Sequence, residues 1–180
     1  MTRPAVFLDR DGTLVDDPPP GYLGDPGQVR VFEGAAGAIN RLHARGFAVV
    51  VVSNQAGIAR GIITWDQYNA VARRIDESLA REGARLDCTY ICPHAPEIDG
   101  ECPCRKPRLL LYERAAADLG LDFGRSWWIG DRITDLLPAH ALGGEGILVE
   151  TGLGKEHHDA ARREGFLVAA DLAAAVPLIA

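Results

Sequence analysis

The sequence predicts an α/β fold of the Rossmann-like kind, a three-layer sandwich in which helices cover both faces of a mostly parallel central sheet. Short apolar runs alternate along the chain with longer segments of helical periodicity, the order that builds a parallel sheet. Residues 47–52 are a continuous apolar run rich in valine, as in a strand that is covered on both faces. Several apolar runs end in acidic, hydroxyl or amide side chains, and open α/β sheets place their chemistry at the carboxyl ends of strands.

The elements follow one another regularly from the N-terminus to the C-terminus. The predicted strands cover residues 5–8, 47–52, 86–91, 127–130, 146–149 and 166–168. The predicted helices cover residues 33–45, 64–81, 109–119, 155–165 and 171–176, and a further helix begins after residue 131. Gly46 and Gly120 are placed to end two of these helices, and Thr64 and Gln67 have the spacing of a capping box. Residues 15–27 include three consecutive prolines and are predicted to form a loop.

Length and composition limit the possible classes of protein. A chain of 180 residues is expected to form a single domain, 1–180, with a substantial core. Apolar residues make up 47% of the chain, but none of its runs approaches the roughly 20 apolar residues that a membrane span needs. The first strand begins almost at once, which leaves no room for a signal peptide, so a cytoplasmic protein is expected. A formal charge of −6 disfavours a nucleic-acid partner. The lack of a spare apolar helix face favours a monomer.

The cysteines lie close together and predict a structural metal site. The chain contains Cys92-Pro93-His94 and, after seven residues, Cys102-Pro103-Cys104. Three thiolates and one imidazole are the composition of a closed tetrahedral zinc site, and soft sulfur ligands favour zinc over magnesium. Since the protein fills all four positions, the zinc is expected to be structural; a disulfide or packed free thiols are the alternatives. Cys88 is predicted to be a small core residue on its strand.

Four carboxylates are predicted to meet at the carboxyl edge of the sheet. Asp9 and Asp11 follow the first strand, while Asp131 and Asp135 stand one helical turn apart where a strand passes into a helix. Acids at a helix N-terminus are also favoured by the helix dipole, which is the structural alternative for the second pair. Four converging acids would repel one another without a cation, and hard cations prefer carboxylate oxygens. We therefore expect Asp9, Asp11, Asp131 and Asp135 to bind Mg²⁺.

Other side chains at this edge suit a phosphate group. Ser53 ends the valine-rich strand and is followed by backbone amides and a glycine, a combination that suits a phosphate oxygen. Lys106 lies between the cysteines and a proline and is a candidate to neutralise phosphate charge; Arg105 is a candidate for a second, remote substrate group. Loop residues that are candidates for contact with substrate are Asp17, Gly21 and Tyr22, although a solvated loop explains them equally well. His157 is predicted to be solvated.

The run Asp9-Arg10-Asp11-Gly12-Thr13-Leu14 resembles the first motif, D-x-D-G-T-[LV], of the phosphatases of the haloacid-dehalogenase superfamily. Three further family motifs follow in order, around Ser53, Lys106 and Asp131, so that the resemblance covers nearly the whole chain. The resemblance implies that Asp9 is the nucleophile, that Asp11 is the general acid and base, and that Mg²⁺ is the cofactor. The expected fold is the haloacid-dehalogenase type without a large cap domain, and the expected reaction passes through an aspartyl-phosphate.

Residues 53–61, the block 92–107 and residues 130–132 together resemble the D-glycero-D-manno-heptose 1,7-bisphosphate 7-phosphatases of that superfamily. This group implies a small sugar bisphosphate as the partner, held with the help of Asp17, Gly21, Tyr22, Asn54, Arg105 and Arg132. Histidinol-phosphate phosphatases share the zinc loop and are the alternative. A DNA 3′-phosphatase is disfavoured by the acidic charge. A non-catalytic zinc-stabilised phosphate-binding module is the alternative from another class, but it would gain nothing from a bare nucleophile at Asp9.

Overall fold

Six strands form the sheet at the centre of the computed structural model, which describes residues 2–17 and 21–180. The strands are β1 (Ala5–Leu8), β2 (Ala48–Asn54), β3 (Cys88–Cys92), β4 (Trp127–Gly130), β5 (Glu145–Val149) and β6 (Leu167–Ala169). They lie in the order β3-β2-β1-β4-β5-β6, and every neighbouring pair runs parallel. The strand order therefore reverses at β1, the point at which sheets of this kind form a binding crevice.

Helices cover both faces of this sheet. They are α1 (Ala35–Ala44), α2 (Trp65–Arg81), α3 (Pro96–Asp99), α4 (Leu110–Leu119), α5 (Ile133–Leu142), α6 (Gly154–Arg163) and α7 (Leu172–Ala175). Short 3₁₀ segments occur at Pro26–Gln28, Phe123–Arg125 and Val176–Leu178. Alternate residues of β1 point to two separate cores: Val6 and Leu8 pack with α1, α2 and α7, whereas Ala5 and Phe7 pack with α4, α5 and α6. The predicted three-layer arrangement is confirmed.

The helix ends are set by the residues that the sequence indicates. Thr64 Oγ1 accepts a hydrogen bond from the Gln67 amide at 3.2 Å, and Gln67 Oε1 accepts one from the Thr64 amide at 2.8 Å, so the capping box is confirmed. Gly46 and Gly120 have φ values of +85° and +65° just after α1 and α4. Only glycine adopts this left-handed conformation without strain.

Two elements differ from the prediction, and one predicted segment lies outside the described residues. The short helix α3 lies inside the segment 92–104 that was predicted only as a loop. The predicted helix 171–176 is shorter, because Pro177 lacks an N–H group and the chain continues as a 3₁₀ turn. The three prolines of the predicted loop, residues 18–20, lie outside the described residues. Within residues 2–17 and 21–180, the helices are all too short or too polar to cross a membrane.

Candidate active site

The carboxyl ends of β1, β2 and β4 bring the predicted site residues to one edge of the sheet. Leu8, the last residue of β1, pairs with β2 on one side and with β4 on the other. The chain therefore leaves three adjacent strands at nearly the same level, with Asp9, Ser53 and Asp131 close to one another in this frame.

A cleft of about 440 Å³ opens at this edge. The predicted residues that line it are Asp9, Asp11, Asp17, Gly21, Tyr22, Ser53, Asn54, Arg105, Lys106, Arg132 and Asp135. Gln55 and His157 line it as well, although the sequence analysis assigned no role to Gln55 and predicted a solvated side chain for His157. Every predicted substrate-binding residue therefore faces the same space as Asp9.

Lys106 is buried at the floor of the cleft between two carboxylates. Its Nζ lies 2.6 Å from Asp9 Oδ1 and 2.8 Å from Asp135 Oδ1. Burial lowers the pKa of Lys106, but the charges of Asp135 and Asp9 outweigh burial and hold that pKa above its usual range. The charged ammonium form is therefore favoured, and it is held beside the predicted nucleophile.

Asn54, which was predicted to bind substrate, holds the backbone of Lys106 in this structure. Its Oδ1 accepts a hydrogen bond from the Lys106 amide at 3.0 Å, and its Nδ2 donates one to the Lys106 carbonyl at 3.3 Å. Both polar ends of the Asn54 side chain are thus engaged by the segment that carries the cation.

The carboxylates of Asp9, Asp131 and Asp135 form a compact group, in which one oxygen from each residue lies within 4.8 Å of the other two. Asp131 Oδ2 accepts a hydrogen bond from the Leu153 amide at 2.8 Å, whereas Asp131 Oδ1 is buried without a hydrogen-bond partner. Arg132 Nε is 4.0 Å from this oxygen, and the Arg132 side chain is half exposed, so it offsets the negative charge only weakly.

The electrostatics of this group show a shortage of positive charge. Burial raises the pKa of Asp9 to about 8 even though Lys106 opposes the shift, and burial raises the pKa of Asp131 to about 6. When all three carboxylates are ionised, they and the one ammonium leave two negative charges in a buried space, which is why protonation is favoured. A divalent cation would neutralise them and would give the orphaned Asp131 oxygen a partner, so these residues fit Mg²⁺.

Two glycines shape the pocket that holds the Asp131 carboxylate. Gly12 and Gly152 have φ values of +85° and +54°, and a Cβ atom at either position would collide with Asp131 Oδ2. Thr151 Oγ1 donates a hydrogen bond to the Gly12 carbonyl at 2.7 Å and joins the loop after β5 to the turn after β1. The loop after β5 could not be identified from the sequence as part of the site, because its residues contribute through backbone shape.

Asp11 does not belong to the carboxylate group. Its Oδ1 accepts a hydrogen bond from Arg10 Nε at 2.9 Å, and its Oδ2 accepts one from Gln55 Nε2 at 2.6 Å. That the Asp11 side chain binds Mg²⁺ stays a prediction; in this structure both of its oxygens accept hydrogen bonds from N–H donors. Its predicted role in proton transfer is compatible with its place in the cleft.

Arg10 and Gln55 are two further residues of the site for which the sequence indicated no role. Their exposed fractions are only 3% and 2%, and buried arginine and glutamine side chains are uncommon without specific partners. Their place inside the Asp9–Leu14 and Ser53–Gly61 runs was the one available signal. Gln55 Nε2 also donates a hydrogen bond to Ser53 Oγ at 2.8 Å.

The loop that carries Tyr22 packs across the loop after β2. The Tyr22 ring lies against Gly57, where a Cβ atom would come within 3.0 Å of the ring. The Arg60 guanidinium lies 5.6 Å from the centre of the same ring and pairs with Glu97 of α3. The wall of the cleft is thereby connected to the cysteine-containing segment.

The ligand atoms of Cys92, His94, Cys102 and Cys104 converge as predicted. The Sγ–Sγ distances are 3.0 to 3.5 Å, and His94 Nδ1 lies 3.1 Å from Cys104 Sγ. A tetrahedron with Zn–S bonds of 2.3 Å has ligands about 3.8 Å apart, so a small expansion of this group accommodates zinc. The cysteines are free thiols in this structure, in keeping with the predicted zinc site, and Cys88 is not part of the group.

Comparison with known proteins places this geometry in a family. Residues 103–175 match the model of the HAD-hydrolase-like family, where HAD stands for haloacid dehalogenase. The D-glycero-β-D-manno-heptose-1,7-bisphosphate 7-phosphatase of Haemophilus ducreyi is 40% identical over 158 residues, 84% of this chain and 86% of that protein. The enzyme of the same name from Yersinia pestis is 40% identical over 155 residues, 83% of this chain and 81% of that protein.

Solved structures of similar proteins share the whole fold. The D,D-heptose 1,7-bisphosphate phosphatase of B. bronchiseptica, crystallised with magnesium and phosphate, is 32% identical and covers 97% of both chains with a TM-score of 0.88. The D,D-heptose 1,7-bisphosphate phosphatase of Burkholderia thailandensis is 28% identical and covers 97% of both chains with a TM-score of 0.73. The predicted haloacid-dehalogenase-type fold is thereby confirmed.

Proposed function

This chain belongs to the family of the D-glycero-β-D-manno-heptose-1,7-bisphosphate 7-phosphatases, within the haloacid-dehalogenase-like hydrolases, and on that premise we propose that it removes the 7-phosphate of the β-anomer of that sugar bisphosphate. The observation that carries the proposal is the buried group of Asp9, Lys106 and Asp131 at the floor of the cleft. It combines a nucleophile, a fixed cation and an oxygen that lacks a partner, as phosphoryl transfer to a carboxylate requires.

Asp9 is the proposed nucleophile. Attack of a carboxylate on a phosphate brings two anions together, and Lys106 Nζ, 2.6 Å from Asp9 Oδ1, reduces their repulsion. Ser53, buried at the end of β2 and lining the cleft, is placed to donate its hydroxyl hydrogen to a phosphate oxygen. Asp9, Asp131 and Asp135 would hold Mg²⁺, which when bound supplies further positive charge beside the transferred phosphoryl group.

The reaction has two steps, and Asp11 moves a proton in each. In the first, an Asp9 oxygen bonds to phosphorus, the ester P–O bond breaks, and the departing sugar oxygen takes the proton of Asp11. In the second, the oxygen of a water bonds to phosphorus, Asp11 takes a proton from that water, and the Asp9–phosphorus bond breaks. The enzyme is then restored, with inorganic phosphate and the sugar 1-phosphate as products.

Two arginines at the rim support a substrate with a second phosphate. Arg105 and Arg132 line the same cleft as Asp9, together with the half-buried His157. Arginine is well suited to phosphate, because its planar group donates two parallel hydrogen bonds. Histidinol phosphate has one phosphate and a positively charged amine, which these arginines would repel. The rim therefore favours the sugar bisphosphate.

Zinc is the proposed structural metal of the Cys92, His94, Cys102 and Cys104 group. With four protein ligands it has no open position for water or substrate.

We further propose that the protein acts as a cytoplasmic monomer. Size-exclusion chromatography with light scattering checks the monomer: a mass near 19.4 kDa is expected, and twice that mass would contradict it.

The decisive experiment compares turnover of both anomers of the heptose bisphosphate and of histidinol phosphate in the presence of Mg²⁺. The β-anomer is expected to have the highest kcat/KM, and ³¹P NMR of the product is expected to show loss of the phosphate at carbon 7. Asp9→Asn keeps the size of the side chain and removes the nucleophilic charge, so activity is expected to fall on the order of 10⁴-fold or more. Equal activity of this variant, or preference for histidinol phosphate, would overturn the proposal.

A further inference from the structure

Gln55 is a buried polar side chain that connects two residues of the site. Its Nε2 lies 2.6 Å from Asp11 Oδ2 and 2.8 Å from Ser53 Oγ. The residue is only 2% exposed and lies at the cleft wall just after β2. A primary amide carries two hydrogens on its nitrogen, and the two contacts use one hydrogen each.

The Gln55 amide completes the set of donors around Asp11. Arg10 Nε donates to Asp11 Oδ1 at 2.9 Å, and Arg10 is itself held under the ring of Tyr68, with 5.3 Å between the guanidinium carbon and the ring centre. Arg10 Nη2 also lies 2.9 Å from Asp11 Oδ2, but it makes no hydrogen bond to a described residue, so Gln55 is the hydrogen-bond donor to that oxygen. With a donor on each oxygen, the carboxyl group is prevented from turning about its terminal bond.

We propose that Gln55 is a positioning residue for proton transfer by Asp11, an inference that rests on the proposed phosphatase function. When Asp11 gives its proton to the departing sugar oxygen, the electron pair of its O–H bond stays on the Asp11 carboxylate. The Gln55 N–H group stabilises that carboxylate and holds it in line with the leaving oxygen. When Asp11 takes a proton from the attacking water in the second step, Gln55 holds it in the same place.

This role predicts a dependence on the leaving group. An alkoxide needs a proton as it departs, whereas p-nitrophenolate is stable without one. The ratio kcat/KM reports the steps up to formation of the aspartyl-phosphate, so it isolates the first proton transfer from the second. Loss of Gln55 is therefore expected to harm alkyl phosphates much more than p-nitrophenyl phosphate.

The test uses Gln55→Met, which keeps the length of the side chain and removes its donors. For the heptose bisphosphate we expect kcat/KM to fall by about tenfold or more, because part of the contribution of general acid catalysis is lost. For p-nitrophenyl phosphate we expect kcat/KM to fall by less than about threefold. A series of aryl phosphates is expected to show a steeper dependence on leaving-group acidity than in the wild type. Gln28→Met, at an exposed position, is the matched control and is expected to behave as the wild type.

An equal fall for all substrates would overturn the inference, because a general structural role, or a role through Ser53 alone, weakens every phosphate ester alike. An unchanged dependence of kcat/KM on the leaving group would overturn the inference as well. Gln55→Leu is the second variant in case methionine prevents folding; it has a similar size, adds no charge, lacks the donors and is expected to give the same steepening. If the wild type hydrolyses none of these esters, the proposed function fails; if the wild type is active and only the steepening is missing, the inference about Gln55 alone fails.

Discussion

The carboxylate group at the cleft floor and the cysteine group beside it are both suited to a cation, but they obtain their shape from different sources. Asp9 and Asp131 follow β1 and β4, which lie side by side in the sheet. Of the cysteine group, only Cys92 belongs to a strand, and the rest lie on a segment whose one regular element is the four-residue α3. A site framed by strands can leave a position open for substrate. A site on a loop, in contrast, becomes ordered only when all of its ligands bind the metal.

The two groups are nevertheless joined through the ends of β2 and β3. Asn54 pairs in register with Cys92, and the backbone N–H of Gln55 donates a hydrogen bond to the Cys92 carbonyl at 2.7 Å. Cys104 is followed two residues later by Lys106, which Asn54 holds by its backbone. The cysteine group therefore supports the segment that carries the cation of the carboxylate group. Substitutions within one group test how far the other depends on it.

Among the substitutions that compare the two groups, Asp131→Asn is expected to have the largest effect on activity and none on the cysteine group. The change weakens the proposed Mg²⁺ site, and kcat/KM is expected to fall by about 10²- to 10³-fold, with a higher Mg²⁺ concentration needed for half-maximal rate. Activity assays across Mg²⁺ concentrations and zinc analysis of the same preparation measure both quantities. A loss of zinc in this variant would contradict the separation of the two sites.

Lys106→Met is expected to lower activity by roughly 10²-fold and to destabilise the protein by about 3–5 kcal/mol, because it leaves buried carboxylates without a counter-charge. Thermal unfolding with and without Mg²⁺ measures the second effect. Since a bound cation replaces part of the lost charge, Mg²⁺ is expected to raise the Tm of the variant more than that of the wild type. An equal Tm increase in both proteins would count against a shared electrostatic site.

Cys102→Ser is expected to remove the zinc and to lower the free energy of unfolding on the order of 4 kcal/mol, with a smaller fall in activity of about tenfold. The activity effect is smaller because Lys106 keeps its contacts with Asp9, Asp135 and Asn54. Cys88→Ser is the matched control, since Cys88 lies outside the group, and its zinc content is expected to equal that of the wild type. Elemental analysis decides the outcome, and full zinc content in Cys102→Ser would rule out the proposed ligand set.

Asn54→Ala is expected to have the smallest effect of the series. It removes two hydrogen bonds to the Lys106 backbone, at a cost of about 1–2 kcal/mol, and kcat is expected to fall by about fivefold while zinc content is unchanged. If Asn54 instead binds the substrate directly, as the sequence analysis predicted, the change will appear mainly in KM. Steady-state kinetics on the heptose bisphosphate therefore distinguish the two roles.

The sequence predicted the frame of the site better than the contacts inside it. Short apolar runs fixed where β1, β2 and β4 end, and parallel strands bring such ends together, so the convergence of Asp9, Ser53 and Asp131 followed from the pattern. The cysteine group was also predictable, because few residue combinations suit zinc so well.

The roles of Arg10 and Gln55 could not be predicted, because each depends on a side-chain direction that only tertiary packing determines. The same limit applies to the Asp11 side chain, which was predicted to bind Mg²⁺: a carboxylate near a metal site also accepts hydrogen bonds from N–H donors, and Arg10 and Gln55 provide them here. Gly152 was missed because its contribution is the space left by the lack of a side chain.

The pair of glycines around Asp131 determines where this enzyme can be redesigned. A methyl group at position 12 or 152 would have to occupy the volume of the Asp131 carboxylate, so the floor of the cleft does not tolerate variation. Arg132, Arg105 and Tyr22 stand at the outer wall with exposed or half-buried side chains. Libraries that aim at new substrates should therefore vary the rim and leave the two glycines untouched.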